Sequence, residues 1–230
     1  MEKKLALLLP GFLDSPDYLH MNIFSDELKL LNYDVIKIDP CNLWRGNGNI
    51  NNYSITNYVE QIRDTINNNH NNYSEILLMG HSMGGFVGII SAASIDYITR
   101  VIAICPPARL DLIIQHKWND EGFRISERDL PEDNTRFTKF TVPISFADDA
   151  TKYSAIDSAK KIIIPLLVVI CDEDEVVSPL ETEQICIPGK ENIKLIRIEG
   201  LGHDFRKSRD ETMKVWKEIV LSGGIFGQQI

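Results

Sequence analysis

The chain has 230 residues, of which 43% are hydrophobic and 25% charged, an ordinary composition for a globular protein that argues against a fibrous or disordered one. Twenty-four Lys and Arg against thirty-three Asp and Glu give a net charge of −9, so the long-range field repels nucleic-acid backbones and anionic lipid surfaces. We therefore expect neither nucleic acid nor a membrane as a partner.

The apolar runs and the cysteine spacing indicate the compartment. Runs such as Leu5 to Leu9 are far shorter than the roughly 20 residues of a membrane span, and the start of the chain lacks a signal-peptide core. The cysteines contain no C-x-x-C pair, which suits a reducing compartment; they are Cys41, Cys105, Cys171 and Cys186. The sequence predicts a cytoplasmic protein with no metal site and no cofactor.

Apolar, β-branched runs of five to seven residues alternate with stretches of helical periodicity, a pattern typical of βα units and a parallel sheet. We expect each of these strands to be buried on both faces. The predicted strands are Lys4 to Leu9, Asp34 to Asp39, Glu75 to Met79, Arg100 to Ile104, Leu166 to Cys171 and Ile193 to Ile198.

Helices are predicted between these strands and after the last one. Ser54 and Ser208 are candidate N-caps, and Pro179 occupies a first helical position. The predicted helices are Tyr18 to Asn32, Ile55 to Asn68, Met83 to Ile95, Leu180 to Cys186 and Asp210 to Leu221.

Residues 108–161 interrupt the alternation, because no clear parallel strand occurs there. A structureless loop of this length is uncommon in a compact domain, so we expect a structured cap. Its aromatic side chains are expected to line an apolar acyl or aryl pocket or to form a small core of the cap itself. The sequence divides into a core of residues 1–107 and 162–230 and a cap of residues 108–161.

The strongest chemical motif is Gly80-His81-Ser82-Met83-Gly84, placed between a predicted strand and a predicted helix. This strand-turn-helix context is the one required for a nucleophile elbow. A serine held in a tight turn needs neighbours without a Cβ, and the following helix N-terminus favours developing negative charge. We expect Ser82 to be the nucleophile and His81 to point away from it.

An activated serine needs a base and a group that orients the base. His203 lies in a glycine-containing turn after the last predicted strand, which is the place that the chain order serine, acid, histidine requires. The acid is expected after the preceding strand, where four carboxylates compete within residues 172–175. Periodicity does not choose among them.

At this point the chain resembles the α/β-hydrolase superfamily. The resemblance implies Asp174 as the acid, since 174–179 resembles the family's D-x-V-V-x-P segment, with Asp172 as the fallback. It implies a three-layer α/β fold with a reduced sheet of six parallel strands in family order 4-3-5-6-7-8. It also implies an oxyanion turn at Pro10-Gly11-Phe12-Leu13, with the backbone N–H groups of Phe12 and Met83 as donors.

Candidate substrate contacts lie in two loops of the core and in the cap. A stretch from Asp39 to Gly48 resembles the family's D-x-R-G-x-G loop with extra residues that include Trp44. The arginines of the cap are expected to pair with neighbouring acids rather than with a substrate carboxylate; they are Arg109, Arg124 and Arg128. The predicted substrate contacts are Gly11, Leu13, Trp44 and Trp118.

These residues predict a serine hydrolase that cleaves small-molecule carboxylic esters through a Ser-His-Asp triad and an acyl-enzyme. A thioesterase, an amide hydrolase or an acyltransferase would use the same triad, because the pocket and not the nucleophile selects the leaving group. From another class, the same fold could serve as a non-catalytic ligand-binding protein. Retention of all three triad residue types favours an enzyme.

Overall fold

A computed structural model describes residues 3–46, 48–114 and 117–223. The strands are β1 (Lys4–Leu9), β2 (Tyr33–Lys37), β3 (Glu75–His81), β4 (Arg100–Ile104), β5 (Phe123–Leu130), β6 (Asp133–Pro143), β7 (Leu166–Cys171) and β8 (Ile193–Ile198). The helices are α1 (Leu19–Leu30), α2 (Ile55–Asn69), α3 (Met83–Ala92), α4 (Leu110–Ile114), α5 (Ser145–Ala150), α6 (Ala155–Lys161), α7 (Pro179–Glu183) and α8 (Arg209–Leu221). Within the described ranges, each helix is too short or too polar to cross a membrane.

The central sheet has six strands in the order β2-β1-β3-β4-β7-β8, and every neighbouring pair is parallel. This is the predicted order. The chain adds β2 on one side of β1 and then β3 on the other, so the winding direction reverses between β1 and β3. Open parallel sheets bind their ligands outside the carboxyl ends of the strands at such a reversal.

Alternating residues of β1 divide the core into two halves. Leu5, Leu7 and Leu9 pack in the cluster that includes the buried side chains of α2 and α3. Ala6 and Leu8 pack in the cluster that contains the buried side chains of α1 and α8. Helices therefore cover both faces of the sheet, and the predicted three-layer α/β fold is confirmed.

The expectation that all six strands are buried on both faces is wrong for the two edge strands. Asp34 of β2 is exposed, and so are Lys194 and Arg197 of β8. An edge strand has a neighbour on one side only, so polar side chains there reach solvent. Strand β2 also begins and ends earlier than predicted, at Tyr33 and Lys37.

The predicted helix starts are confirmed by their capping contacts. The Ser54 hydroxyl accepts a hydrogen bond from the backbone N–H of Asn57 at 3.0 Å, and Ser208 accepts one from Glu211 at 3.3 Å. Pro179 is the first residue of α7. Each cap satisfies an N–H group that the first helical turn leaves free.

Residues 108–161, called the insertion below, contain α4, α5, α6 and an antiparallel hairpin that the sequence analysis did not predict. The hairpin strands β5 and β6 pair from Phe123 opposite Pro143 to Leu130 opposite Asp133. The Tyr18 hydroxyl at the start of α1 donates a hydrogen bond to the Asp129 carbonyl oxygen at 2.8 Å. The hairpin is therefore held against the body of the molecule near the carboxyl ends of the parallel strands.

Candidate active site

Loops that follow four strands of the sheet carry the predicted catalytic residues. Phe12 follows β1, Ser82 follows β3, Asp174 follows β7 and His203 follows β8. Because parallel strands end at the same edge of a sheet, the fold brings these four loops together. Phe12, Ser82 and His203 line one cavity at this edge.

The turn at Ser82 has the strained geometry expected of a nucleophile elbow. Ser82 has φ 54° and ψ −123°, a left-handed conformation that non-glycine residues rarely adopt. A Cβ on Gly80 would lie 2.3 Å from the Gly84 carbonyl carbon, and a Cβ on Gly84 would lie 1.9 Å from the Leu9 carbonyl oxygen. Both glycines are therefore required for the close approach of strand and helix that holds Ser82 in this conformation.

Asp174 is the carboxylate that contacts the histidine. His203 Nδ1 lies 2.7 Å from Asp174 Oδ2, and the backbone N–H groups of Val176 and Val177 donate to Asp174 Oδ1 at 2.9 and 2.7 Å. Three hydrogen bonds fix this buried carboxylate, so it fixes the imidazole in turn. Asp172 instead accepts a hydrogen bond from the Gly200 N–H at 2.7 Å.

The two predicted oxyanion donors lie in different elements: Phe12 is in the turn after β1, and Met83 begins α3 after β3. Met83 is the first residue of α3, so its N–H lies in the helix turn where intrahelical acceptors are lacking. Within residues 3–46, 48–114 and 117–223, neither the Phe12 nor the Met83 N–H donates to a protein acceptor. These two groups are thus free to bind an oxyanion.

Two buried tyrosines hold the same turn, and the sequence analysis did not identify them. The Tyr53 hydroxyl accepts a hydrogen bond from the Leu13 N–H at 2.7 Å. The Tyr58 hydroxyl donates to the Pro10 carbonyl oxygen at 3.2 Å. Tyr58 lies on the buried face of α2, where helical periodicity predicts an ordinary packing residue, and Tyr53 precedes the helix, so the sequence contains no separate signal for this role.

The cavity in front of Ser82 has a volume of about 330 Å³. Its apolar wall comes from the turn after β1, from the loops after β4 and β7 and from the insertion. These residues are Phe12, Pro107, Leu110, Ile113, Ile114, Phe137, Val176 and Val177. A small or medium apolar group fits such a wall.

The four predicted substrate contacts are not among the described residues that line this cavity. Gly11 and Leu13 belong to the backbone of the oxyanion turn, and the Trp44 indole N–H donates to the Leu13 carbonyl oxygen at 3.2 Å. The Trp118 indole donates to the Val142 carbonyl oxygen at 3.2 Å and stacks on a phenylalanine of the insertion. Both tryptophan N–H groups are therefore bonded to backbone, one at the turn after β1 and one at β6.

Two more histidines lie buried beside His203. The His81 ring centroid is 4.7 Å from that of His203 and 5.5 Å from that of His20. His81 lines the cavity, so the expectation that it points away from the site is wrong. Burial holds the pKa of both His20 and His81 well below the ordinary value, so both imidazoles are neutral.

Potential metal ligands form two overlapping groups among the described residues. His81 belongs to both groups, one with Cys105 and His203 and the other with Asp14 and His20, and in each group the ligand atoms lie within 4.8 Å of one another. Arg206 lies close enough to lower the pKa of both His20 and His81. Its positive charge opposes the binding of a cation here.

Comparisons with known proteins agree with this architecture. The model of the alpha/beta hydrolase family matches residues 6–214. No curated protein sequence matches the chain significantly.

Solved structures show the same fold. Est1E from Butyrivibrio proteoclasticus, with ferulic acid bound, has a TM-score of 0.74 and 18% identity over 96% of this chain and 89% of that chain. Mouse alpha/beta hydrolase domain-containing protein 10 has a TM-score of 0.73 and 18% identity over 96% and 91%. The Pyrococcus furiosus esterase Pf2001 has a TM-score of 0.63 and 20% identity over 96% and 80%. The family match, the six-stranded parallel sheet and the elbow at Ser82 together establish that this chain belongs to the alpha/beta hydrolase family.

Proposed function

We propose that the protein is a serine hydrolase that cleaves carboxylic esters with small or medium acyl or aryl groups. The observation that carries this proposal is the contact between His203 Nδ1 and Asp174 Oδ2, at 2.7 Å, on the wall of the cavity that Ser82 also lines. A bonded acid–base pair next to a serine in a strained elbow is the arrangement that activates a hydroxyl for attack.

In the proposed reaction, Ser82 Oγ attacks the acyl carbon while His203 Nε2 accepts the hydroxyl proton. Asp174 accepts the hydrogen bond from Nδ1, which leaves Nε2 unprotonated and able to accept the serine proton, and stabilises the imidazolium that forms. The imidazolium then returns the proton to the leaving alcohol as the tetrahedral intermediate collapses. Water repeats the sequence and releases the acyl group from Ser82.

The backbone N–H groups of Phe12 and Met83 bind the oxygen that becomes negatively charged during each attack. Such donors act without reorganising at the moment of reaction, and removing one typically costs about 3 kcal/mol of barrier reduction. The N-terminus of α3 adds a favourable dipole at the same point.

The insertion is proposed to cap the site, since Ile113, Arg124 and Phe137 contribute to the cavity wall. One structure similar to this chain is named as an esterase, the Pyrococcus furiosus enzyme. This similarity favours ester cleavage over the thioester, amide and acyl-transfer reactions open to the same triad.

Hydrolysis of 4-nitrophenyl acetate tests the proposal. The wild-type protein should release nitrophenol in an initial burst followed by a slower steady state, as expected for an acyl-enzyme. Ser82→Ala and His203→Ala should each lose the burst. Equal rates for all three proteins would contradict the proposal, and tight binding of a small ligand without turnover would indicate a binding protein.

A further inference from the structure

The wall of the Ser82 cavity carries an excess of positive charge, although the whole chain has a net charge of −9. Four carboxylates and five cationic side chains line it. The cations are Lys117, Arg124, Arg128, Arg206 and Lys207. The electrostatic field at the candidate nucleophile therefore differs from the field of the acidic protein as a whole.

Most of these charges are neutralised within the protein. Asp14 lies 3.6 Å from Arg128 and 3.7 Å from Arg206. Asp204 lies 3.3 Å from Arg206 and 2.5 Å from Lys207. These pairs tie three of the five cations to carboxylates of the same wall.

The other two cations of the wall, Arg124 and Lys117, form no ion pair with a carboxylate among the described residues. By contrast, Arg109 of the same insertion forms an ion pair with Asp111 at 2.6 Å. The expectation that Arg124 pairs with a neighbouring acid is therefore wrong, while it is confirmed for Arg109 and Arg128.

The Arg124 guanidinium is half-buried over the Phe12 ring, 5.3 Å from its centroid. Burial and the neighbouring Arg128 charge lower the pKa of Arg124, and burial and Arg124 lower the pKa of Lys117. Two cations that line one cavity, without a carboxylate partner among the described residues, form a site that an anion would stabilise.

We propose that the ester substrate carries a terminal oxyanion, a carboxylate or a phosphate, that binds Arg124 and Lys117 while its acyl carbon lies at Ser82. This inference rests on the proposed function, because it names the substrate class of the same site. Phe12 links the two ends of such a substrate: its N–H faces the oxyanion of the reaction, and its ring supports Arg124. A guanidinium matches either anion with two parallel hydrogen bonds.

The experiment compares two esters of equal size. Mono(4-nitrophenyl) adipate ends in a carboxylate. Its monoamide counterpart, 4-nitrophenyl adipamate, ends in a neutral carboxamide. Wild-type kcat/KM should favour the carboxylate ester by about tenfold or more, a typical gain for hydrogen bonds to charged groups. Arg124→Gln should abolish this preference, because kcat/KM should fall by a larger factor for the carboxylate ester than for the carboxamide ester, and Arg124→Lys should restore part of it.

Arg109→Gln is the matched control, because it removes one positive charge from the same insertion but from an ion pair with Asp111. It should leave the preference unchanged. A wild-type preference near one, or a preference that survives Arg124→Gln, would overturn the proposal.

A binding measurement separates this proposal from the proposed function. The Kd values of monomethyl adipate and its carboxamide for Ser82→Ala, measured by calorimetry, do not depend on turnover. Hydrolysis that does not depend on Ser82 would contradict the serine hydrolase assignment alone, and equal Kd values would contradict the anion site alone. Inhibition constants for pentanoate and butyl phosphate, each compared with that for butanol, identify which anion the site prefers. If neither anion inhibits more strongly than butanol, the result contradicts the anion site.

Discussion

Arg128 of the insertion donates two hydrogen bonds to the carbonyl oxygen of Phe12, from Nη2 at 2.8 Å and from Nε at 3.2 Å. Phe12 provides a candidate oxyanion donor through its own N–H. The β5–β6 hairpin therefore contacts the backbone of the oxyanion turn directly. The position of the hairpin and that of the Phe12 main chain are linked through this one side chain.

Arg128→Gln is expected to lower kcat for 4-nitrophenyl butyrate about tenfold and to change KM less than twofold. The glutamine cannot reproduce the forked pair of charge-assisted hydrogen bonds, so the Phe12–Leu13 peptide and the adjoining Phe12 N–H are held less firmly, and the oxyanion is stabilised less in the transition state. Steady-state kinetics measure the split. A rise in KM with unchanged kcat would show instead that Arg128 contributes only to substrate binding.

Asp174→Asn is expected to reduce kcat by about 10³ to 10⁴, because an amide no longer selects the His203 tautomer that accepts the serine proton. Asp172→Asn is the matched control, since its carboxylate contacts the Gly200 N–H and not the imidazole. It should retain kcat within a few-fold. The opposite ranking of the two variants would assign the acid to Asp172.

Gly84→Ala and Gly88→Ala should have opposite effects on stability. A Cβ on Gly84 would overlap the Leu9 carbonyl oxygen at 1.9 Å, so we expect a loss of about 2–4 kcal/mol in the free energy of unfolding. A Cβ on Gly88 would meet a Leu9 methyl group at 3.4 Å, so the helix-favouring alanine should be neutral or add up to about 1 kcal/mol. Urea unfolding measures both, and equal losses would contradict the packing argument.

Stability should fall as the pH drops below about 6.5. Burial lowers the pKa of His20 and His81 in the folded protein, whereas both histidines protonate near their ordinary pKa in the unfolded chain. Unfolding then takes up protons, so the free energy of unfolding declines by at most about 1.4 kcal/mol per pH unit for each histidine.

The matched variant for this effect is His20→Phe. It should flatten the decline in the free energy of unfolding between pH 7.5 and pH 5, as measured by urea unfolding at the two values. A decline of the same size in the wild type and the variant would show that other groups cause it.

The parallel core was predictable because buried strands are continuous apolar runs. The bounds of β1, β4, β7 and β8 match the sequence prediction, and the elbow and acid loops lie where the motifs place them. Steric requirements at Gly80 and Gly84 leave a sequence signature, so Ser82 was found directly.

The hairpin and the environment of the cavity were not predictable. Ile125 and Phe137 are exposed and alternate with charged residues, so β5 and β6 lack the apolar pattern of the core strands. Contacts across long separations in sequence, such as Arg128 with Phe12 and Tyr53 with Leu13, depend on how the loops meet at the sheet edge. The local periodicity of the sequence contains no information about such contacts between loops.

Intact-protein mass spectrometry after treatment with a fluorophosphonate tests the central claim most directly. We expect one adduct per chain, located on the peptide that contains Ser82, and no adduct on Ser82→Ala. Hydrolysis should be lost in proportion to the labelled fraction. An adduct on a different residue, or full hydrolysis by a protein completely labelled at Ser82, would contradict it.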